Sequence, residues 1–391
     1  MSVAAFACAA VLHALCLSSA LAAESGSASQ VAAAPNLYEH VAGWPRDLPP
    51  ASLEISAVVV DHTVEGKEIF VSQRGKNLLG STGGPVLVFS GDGDLKRSFG
   101  NDTVNYKNGT WGAHGLGIEF PPSGKSAEPR LWIYDMFVGS VLVHSSRTGK
   151  LLMRGGTGAA GSDITPFLQY GNVADGDFDD GRSIAYVADG DGGVNNRVVA
   201  LDATKHINDP EAVLWVAGNG ASSPPDPHFS SPHSVCFHAR TRSLFVADRE
   251  MNRTQILSAE TGTVLGEWTC PALGHAGKAL GVRSSFPRDD LIFLAVADSP
   301  ETGRDQFVHI LDGSHMTPGS PGPCHVLQSI QIPTSMCVTP HEVGVDMDNG
   351  DMYLACVTAN TTQGNPKGLM KFVRTKVTVA DVRRQLKNES W

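Results

Sequence analysis

Basic residues are scarce in this chain. Thirty Lys and Arg stand against 40 Asp and Glu, for a net charge of −10. That balance argues against nucleic acid and against anionic membrane surfaces as partners. No two of the seven cysteines form a Cys-x-x-Cys pair, so nothing points to a cysteine-ligated metal. Beyond the first 25 residues no apolar run is long enough to cross a bilayer. What the chain does have is glycine: 42 in 391 residues, which fits many tight turns better than long helices. With 41% hydrophobic residues it has enough for a sizeable core, in one large domain or two ordinary ones.

The opening segment, MSVAAFACAAVLHALCLSSALAAES, is apolar and ends in small residues. It reads as a secretory signal peptide over residues 1–23, although it lacks the usual Lys or Arg near its start. A membrane anchor is the alternative, but the run is short for a span and no stop-transfer charges follow. The expected location is outside the cell or in the secretory lumen. Five Asn-x-Ser/Thr sequons, at Asn101, Asn108, Asn252, Asn360 and Asn388, fit export as glycosylation acceptors. Five cysteines follow the signal, an odd number that leaves at least one thiol free or paired with another chain. Residues 24–50, rich in Ala, Ser and Pro, read as a flexible lead-in. Residues 376–391 read as a C-terminal tail or short helix.

Between them, over 51–375, one pattern recurs. The runs EIFVSQRG, RLWIYDMF, IAYVADGD, LFVADREM, FLAVADSP and MYLACVTA align Gln73, Asp135, Asp189, Asp248, Asp298 and Cys356 at one repeat position. Each is answered by a second β-rich run such as SVLVHSS, NRVVALD or RTQILSA, whose alternation suits half-buried strands. Six such units predict an all-β, six-bladed β-propeller in preference to a β-sandwich.

On this frame three histidines take equivalent places. His114 in GAHGL, His233 in SPHSV and His341 in TPHEV precede the second, fourth and sixth units. Alternate blades stand about 120° apart, and the first strand of each blade lines the channel. Three imidazoles can therefore converge on one point, with a fourth position open, as in a catalytic zinc site. The other histidines, among them His238, His275, His309 and His325, lack this placement.

These residues resemble the NHL-type six-bladed propellers that include peptidyl-α-hydroxyglycine α-amidating lyase. The resemblance covers about residues 54–373. FVSQRG is similar to a first-blade motif with a catalytic arginine, which implies Arg74. AHGLGIE, FSSPHSVCF and TPHEVGVD are similar to the three zinc-histidine motifs, which implies His114, His233 and His341 as zinc ligands. A structural calcium is also implied, held by the carbonyls of Val58 and Leu116 and by Glu342. The implied reaction cleaves a C-terminal α-hydroxyglycine into a peptide amide and glyoxylate, so the implied partners are peptides extended by that residue. The implied enzyme is a carbon–nitrogen lyase, and a monomer is expected.

The chain departs from the pattern in several places. The family's tyrosine base is missing where this chain reads Asp189-Gly190-Asp191-Gly192-Gly193; Asp191 is the candidate replacement, and Tyr134 and Tyr170 are others. Thr339 stands where the family has methionine, the calcium acid is Glu, and the family's disulfide cysteines are absent. Two further readings follow. One is a non-catalytic, metal-stabilised extracellular propeller acting as a binding module. The other is a calcium-dependent lactonase, which three histidines fit poorly because such sites use mainly acids and Asn.

Overall fold

A computed structural model describes residues 35–48, 54–74, 84–107, 110–122, 128–156, 161–163, 168–192, 195–218, 228–268, 278–297, 306–357 and 368–388. Among these residues the chain forms six four-stranded antiparallel sheets. Their innermost strands are Ile55–Asp61, Ala113–Glu119, Val173–Asp179, Pro232–His238, Lys278–Ser284 and Thr339–Val345, in blades 1 to 6. These six strands touch in sequence order, and the sixth returns to the first, so the ring closes. The expected six-bladed propeller is the fold of this chain.

No central core exists. The apolar side chains gather instead in six clusters, each between two neighbouring blades. Trp132 of blade 2, for example, meets Phe178 of blade 3 edge-on, with ring centroids 5.2 Å apart. This packing explains why alternation is weak in the middle strands. Ser140–Ser145 and Arg197–Asp202 are almost wholly buried, because a blade lies against each of their faces. Alternation belongs to the outermost strands, such as Leu95–Phe99 and Val213–Gly218, which keep one face in water. The expected alternation of the answering runs is corrected accordingly.

The repeat position has a structural use. Asp189 accepts from the backbone N–H of Gly171 at 2.8 Å, and Asp248 accepts from Ser230 and Ser231 at 2.9 and 3.0 Å. Asp135 accepts from Asn105 at 2.8 Å. Each carboxylate fastens the loop that leads into its own blade's innermost strand. Asp298 lies outside the described residues.

The lead-in boundary also needs correction. Tyr38–His40 is the fourth strand of blade 6, paired antiparallel with Leu369–Arg374 through Tyr38↔Arg374 and His40↔Phe372. The first described segment thus completes the last blade. Trp44, which is buried, packs against Tyr353 and Phe89 at the junction of blades 6 and 1. Polar composition hid a strand whose partner lies over 330 residues away. At the other end the helix Val379–Asn388 buries Val382 against the core between blades 5 and 6, and Arg383 binds Asp312. Cys337 and Cys356 form a disulfide, Cys324 is also disulfide-bonded, and Cys236 is a buried free thiol.

Candidate metal centre on the propeller axis

Every innermost strand carries a β-bulge at the same place near its start. The register slips at Ser56, His114, Ala174, His233, Leu280 and His341 in blades 1 to 6. A bulge leaves one residue out of the ladder and re-aims it. In the even blades the bulged residue is a histidine. In the odd blades it offers its carbonyl to the histidine of the blade before: His114 Nδ1 bonds Ala174 O at 2.9 Å, and His233 Nδ1 bonds Leu280 O at 2.8 Å. His341 Nδ1 bonds Ser56 O at 2.5 Å. A carbonyl only accepts, so each Nδ1 carries the proton and each Nε2 presents a lone pair.

The three rings form a near-equilateral triangle. Their centroids lie 4.8, 4.7 and 4.6 Å apart, and one ring nitrogen from each lies within 4.8 Å of the others. All three are at least 97% buried. Burial pushes His233 down to about 3, with Asp191 opposing, and holds His341 well below its ordinary value, helped by His233, His114 and Arg74. His233 and His341 are therefore neutral at physiological pH. A backbone carbonyl behind each ring is the usual outer support of a metal-binding histidine.

Asp191 reaches the same spot from the loop after the second strand of blade 3. Its Oδ2 is 3.2 Å from His114 Nε2, yet that nitrogen has no hydrogen-bond partner. A lone pair facing a carboxylate oxygen repels it unless a cation lies between them. Zinc–ligand bonds of about 2.0 Å in a tetrahedron separate the ligands by about 3.3 Å. The three imidazoles can hold a zinc-class ion, and Asp191 stands at ligand-to-ligand distance from one of them, His114. The other carboxylate oxygen of Asp191 is clamped by Arg249 Nη1 at 2.6 Å. Burial pushes Asp191 up, but neighbouring groups, the Arg249 guanidinium among them, outweigh it and hold the carboxyl below the usual range.

Arg74 follows the repeat position of blade 1. Among the described residues its one carboxylate within 4 Å is that of Glu54, at 3.9 Å, and its Nη1 touches Met136 Sδ at 3.8 Å. Burial lowers its pKa, with Asp191 and Glu54 opposing. Arg249, which the sequence reading passed over, follows the repeat position of blade 4, as Arg74 does in blade 1. That shared place in the repeat was the signal that could have found it. The two tyrosines stand elsewhere: Tyr134 reaches Gly176 further down the axis, and Tyr170 packs into the core between blades 2 and 3.

NHL repeat-containing protein 3 of Mus musculus is 31% identical over 331 residues, which span 82% of each chain. The chain belongs to that family. No protein-family model matches the chain. Peptidyl-glycine alpha-amidating monooxygenase of Mus musculus is 27% identical over 250 residues, 63% of this chain and 23% of that protein. Among solved structures, a calcium-binding regucalcin from Agrobacterium tumefaciens superposes with a TM-score of 0.48 at 13% identity, covering 83% of this chain and 90% of its own. In this member of the NHL repeat-containing protein 3 family the acid expected to bind calcium is already paired with an arginine. Leu116 is buried between blades 1 and 2, and Val58 O lies against Gly344, where a Cβ would approach to 2.7 Å. Glu342, also buried, is bound by Arg283 at 3.2 Å. The expected calcium acid already has a cation beside it, so this set does not fit the ion as it stands. Among the sequons Asn101 and Asn252 are exposed; Asn108, Asn360 and the side chain of Asn388 lie outside the described residues.

Proposed function

We propose that the chain is a secreted, zinc-class metal-dependent lyase that converts a peptidyl-α-hydroxyglycine into a peptide amide and glyoxylate. The observation that carries this reading is Arg74: a partly buried guanidinium near enough to His341 to push its pKa down, whose one carboxylate within 4 Å among the described residues is at 3.9 Å. A partly buried cation so loosely compensated suits an anionic ligand, and α-hydroxyglycine ends in a carboxylate. A zinc-class ion on the imidazoles supplies Lewis-acid activation of the substrate hydroxyl. Arg74 binds and orients the substrate carboxylate. Asp191 accepts the hydroxyl proton, the carbon–nitrogen bond breaks as the carbonyl of glyoxylate forms, and Asp191 returns that proton to the departing amide nitrogen. The partial similarity to the amidating monooxygenase supports the same chemistry.

A second reading is favoured by Asp191 itself. Clamped by Arg249 and held far below the usual carboxylate range, it is a poor base but a good fourth ligand. A closed four-ligand centre is structural, and the protein is then a metal-stabilised binding module. Purified mature protein, loaded with zinc and given a short peptidyl-α-hydroxyglycine, separates the two. Release of glyoxylate well above the spontaneous rate, abolished by Asp191→Asn with zinc retained, supports the lyase. No release from a folded, zinc-loaded protein, together with weakened zinc binding in Asp191→Asn, supports the closed centre.

A further inference from the structure

Below the histidine triangle the axis carries a second cluster, built on charge. Arg283 projects inward from the innermost strand of blade 5 and is only 11% exposed. Its Nη2 lies 3.2 Å from Glu342 Oε1 of blade 6 and 3.8 Å from Asp175 Oδ2 of blade 3. Its Nη1 lies 3.3 Å from Asp177 Oδ1, and its Nε donates to Val343 O at 3.3 Å. Blade 4 joins through Ser234, which donates to Asp175 Oδ2 at 2.7 Å and accepts from Val282 N at 3.2 Å. One side chain thus links carboxylates from two other blades and a carbonyl, which is the work a divalent ion does with oxygen ligands.

We propose that Arg283 is a resident cation that replaces calcium on the propeller axis. A guanidinium offers five donors in a fixed plane, enough to meet several oxygens at once. It carries one charge where calcium carries two. Asp175 and Glu342 are both buried, and the one guanidinium of Arg283 meets them both. Asp177 is further out, 22% exposed, where the channel widens into a cavity of about 820 Å³ that water can enter. Replacing Arg283 removes the only cation found within 4 Å of these acids among the described residues. An uncompensated acid cluster is costly unless another cation enters. The inference holds whether or not the histidine centre is catalytic.

The test is a calcium titration of the zinc-loaded, calcium-free protein, read by calorimetry and by Tm. The wild-type protein is expected to show no stoichiometric calcium binding and no rise in Tm in millimolar calcium. Arg283→Gln is expected to melt several degrees lower and to recover most of that loss when calcium is added. Tight one-to-one calcium binding by the wild type, with a rise in Tm, would overturn the proposal. An Arg283→Gln protein as stable as the wild type without calcium would overturn it too. If Arg283→Gln does not fold, the wild-type titration still decides the matter.

Discussion

A histidine can hold a metal only if its far nitrogen is protonated and its near nitrogen is free. In His114, His233 and His341 three backbone carbonyls enforce that tautomer. His233→Ala should therefore lose the bound zinc-class ion altogether, as read by metal analysis of the gel-filtered protein. A different histidine sets a pH dependence. His144, in blade 2, is pushed down to about 4 by burial, with Asp102 opposing. Its folded pKa lies below the ordinary 6.5, so the folded state binds fewer protons than the unfolded chain between those values. The stability it contributes is complete above pH 6.5 and falls as the pH drops towards 4, by up to about 3 kcal/mol. Urea midpoints at pH 7 and pH 5 should differ less in His144→Gln than in the wild type.

At the scale of elements, the recurring bulge is what turns a repeat into a site. The same backbone irregularity offers a side chain in even blades and a carbonyl in odd ones. The inner strands must also come very close. A Cβ on Gly115, beside His114, would meet Ala174 O at 2.1 Å and Asp175 Cα at 2.8 Å. Gly115→Ala should push away the carbonyl that orients His114. We expect a lower Tm and at least a tenfold loss in zinc affinity, measured by competition with a chelating dye. Gly319→Ala, which meets nothing within 4 Å, strains a backbone at φ +78° and should lower Tm while leaving zinc affinity intact.

For the molecule as a whole, ring closure rests on Tyr38–His40. Leu37 and Tyr38 are buried, Tyr38 meets Phe293 edge-on at 5.7 Å, and Arg374 lies over its ring at 5.5 Å. A chain truncated to begin at residue 43 should lose the outer strand of blade 6. Because the apolar cores of the ring lie between neighbouring blades, opening one is felt by the blades on either side. We expect Tm to fall by about 5 °C or more, followed by circular dichroism, and faster proteolysis near blade 6.

The sequence by itself determined the number of units, because a β-rich run ending at one repeat position recurs six times, three times as VAD. It also determined which histidines belong together, because each occupies the same place in alternate units. Those features are local, and a repeat frame preserves them. Tertiary structure alone decided the rest. Asp191, Arg249 and Arg74 come from three different blades, and only folding brings Arg249 onto Asp191. The carbonyls of Ser56, Ala174 and Leu280 have no side-chain signature, since any residue offers the same oxygen. The strand at Tyr38 is too short and polar to announce itself until Leu369–Arg374 pairs with it. Arg283 reads as an ordinary arginine in a strand; the closing of the ring places it among buried acids, and that desolvation turns it into a candidate for the cation of the axis.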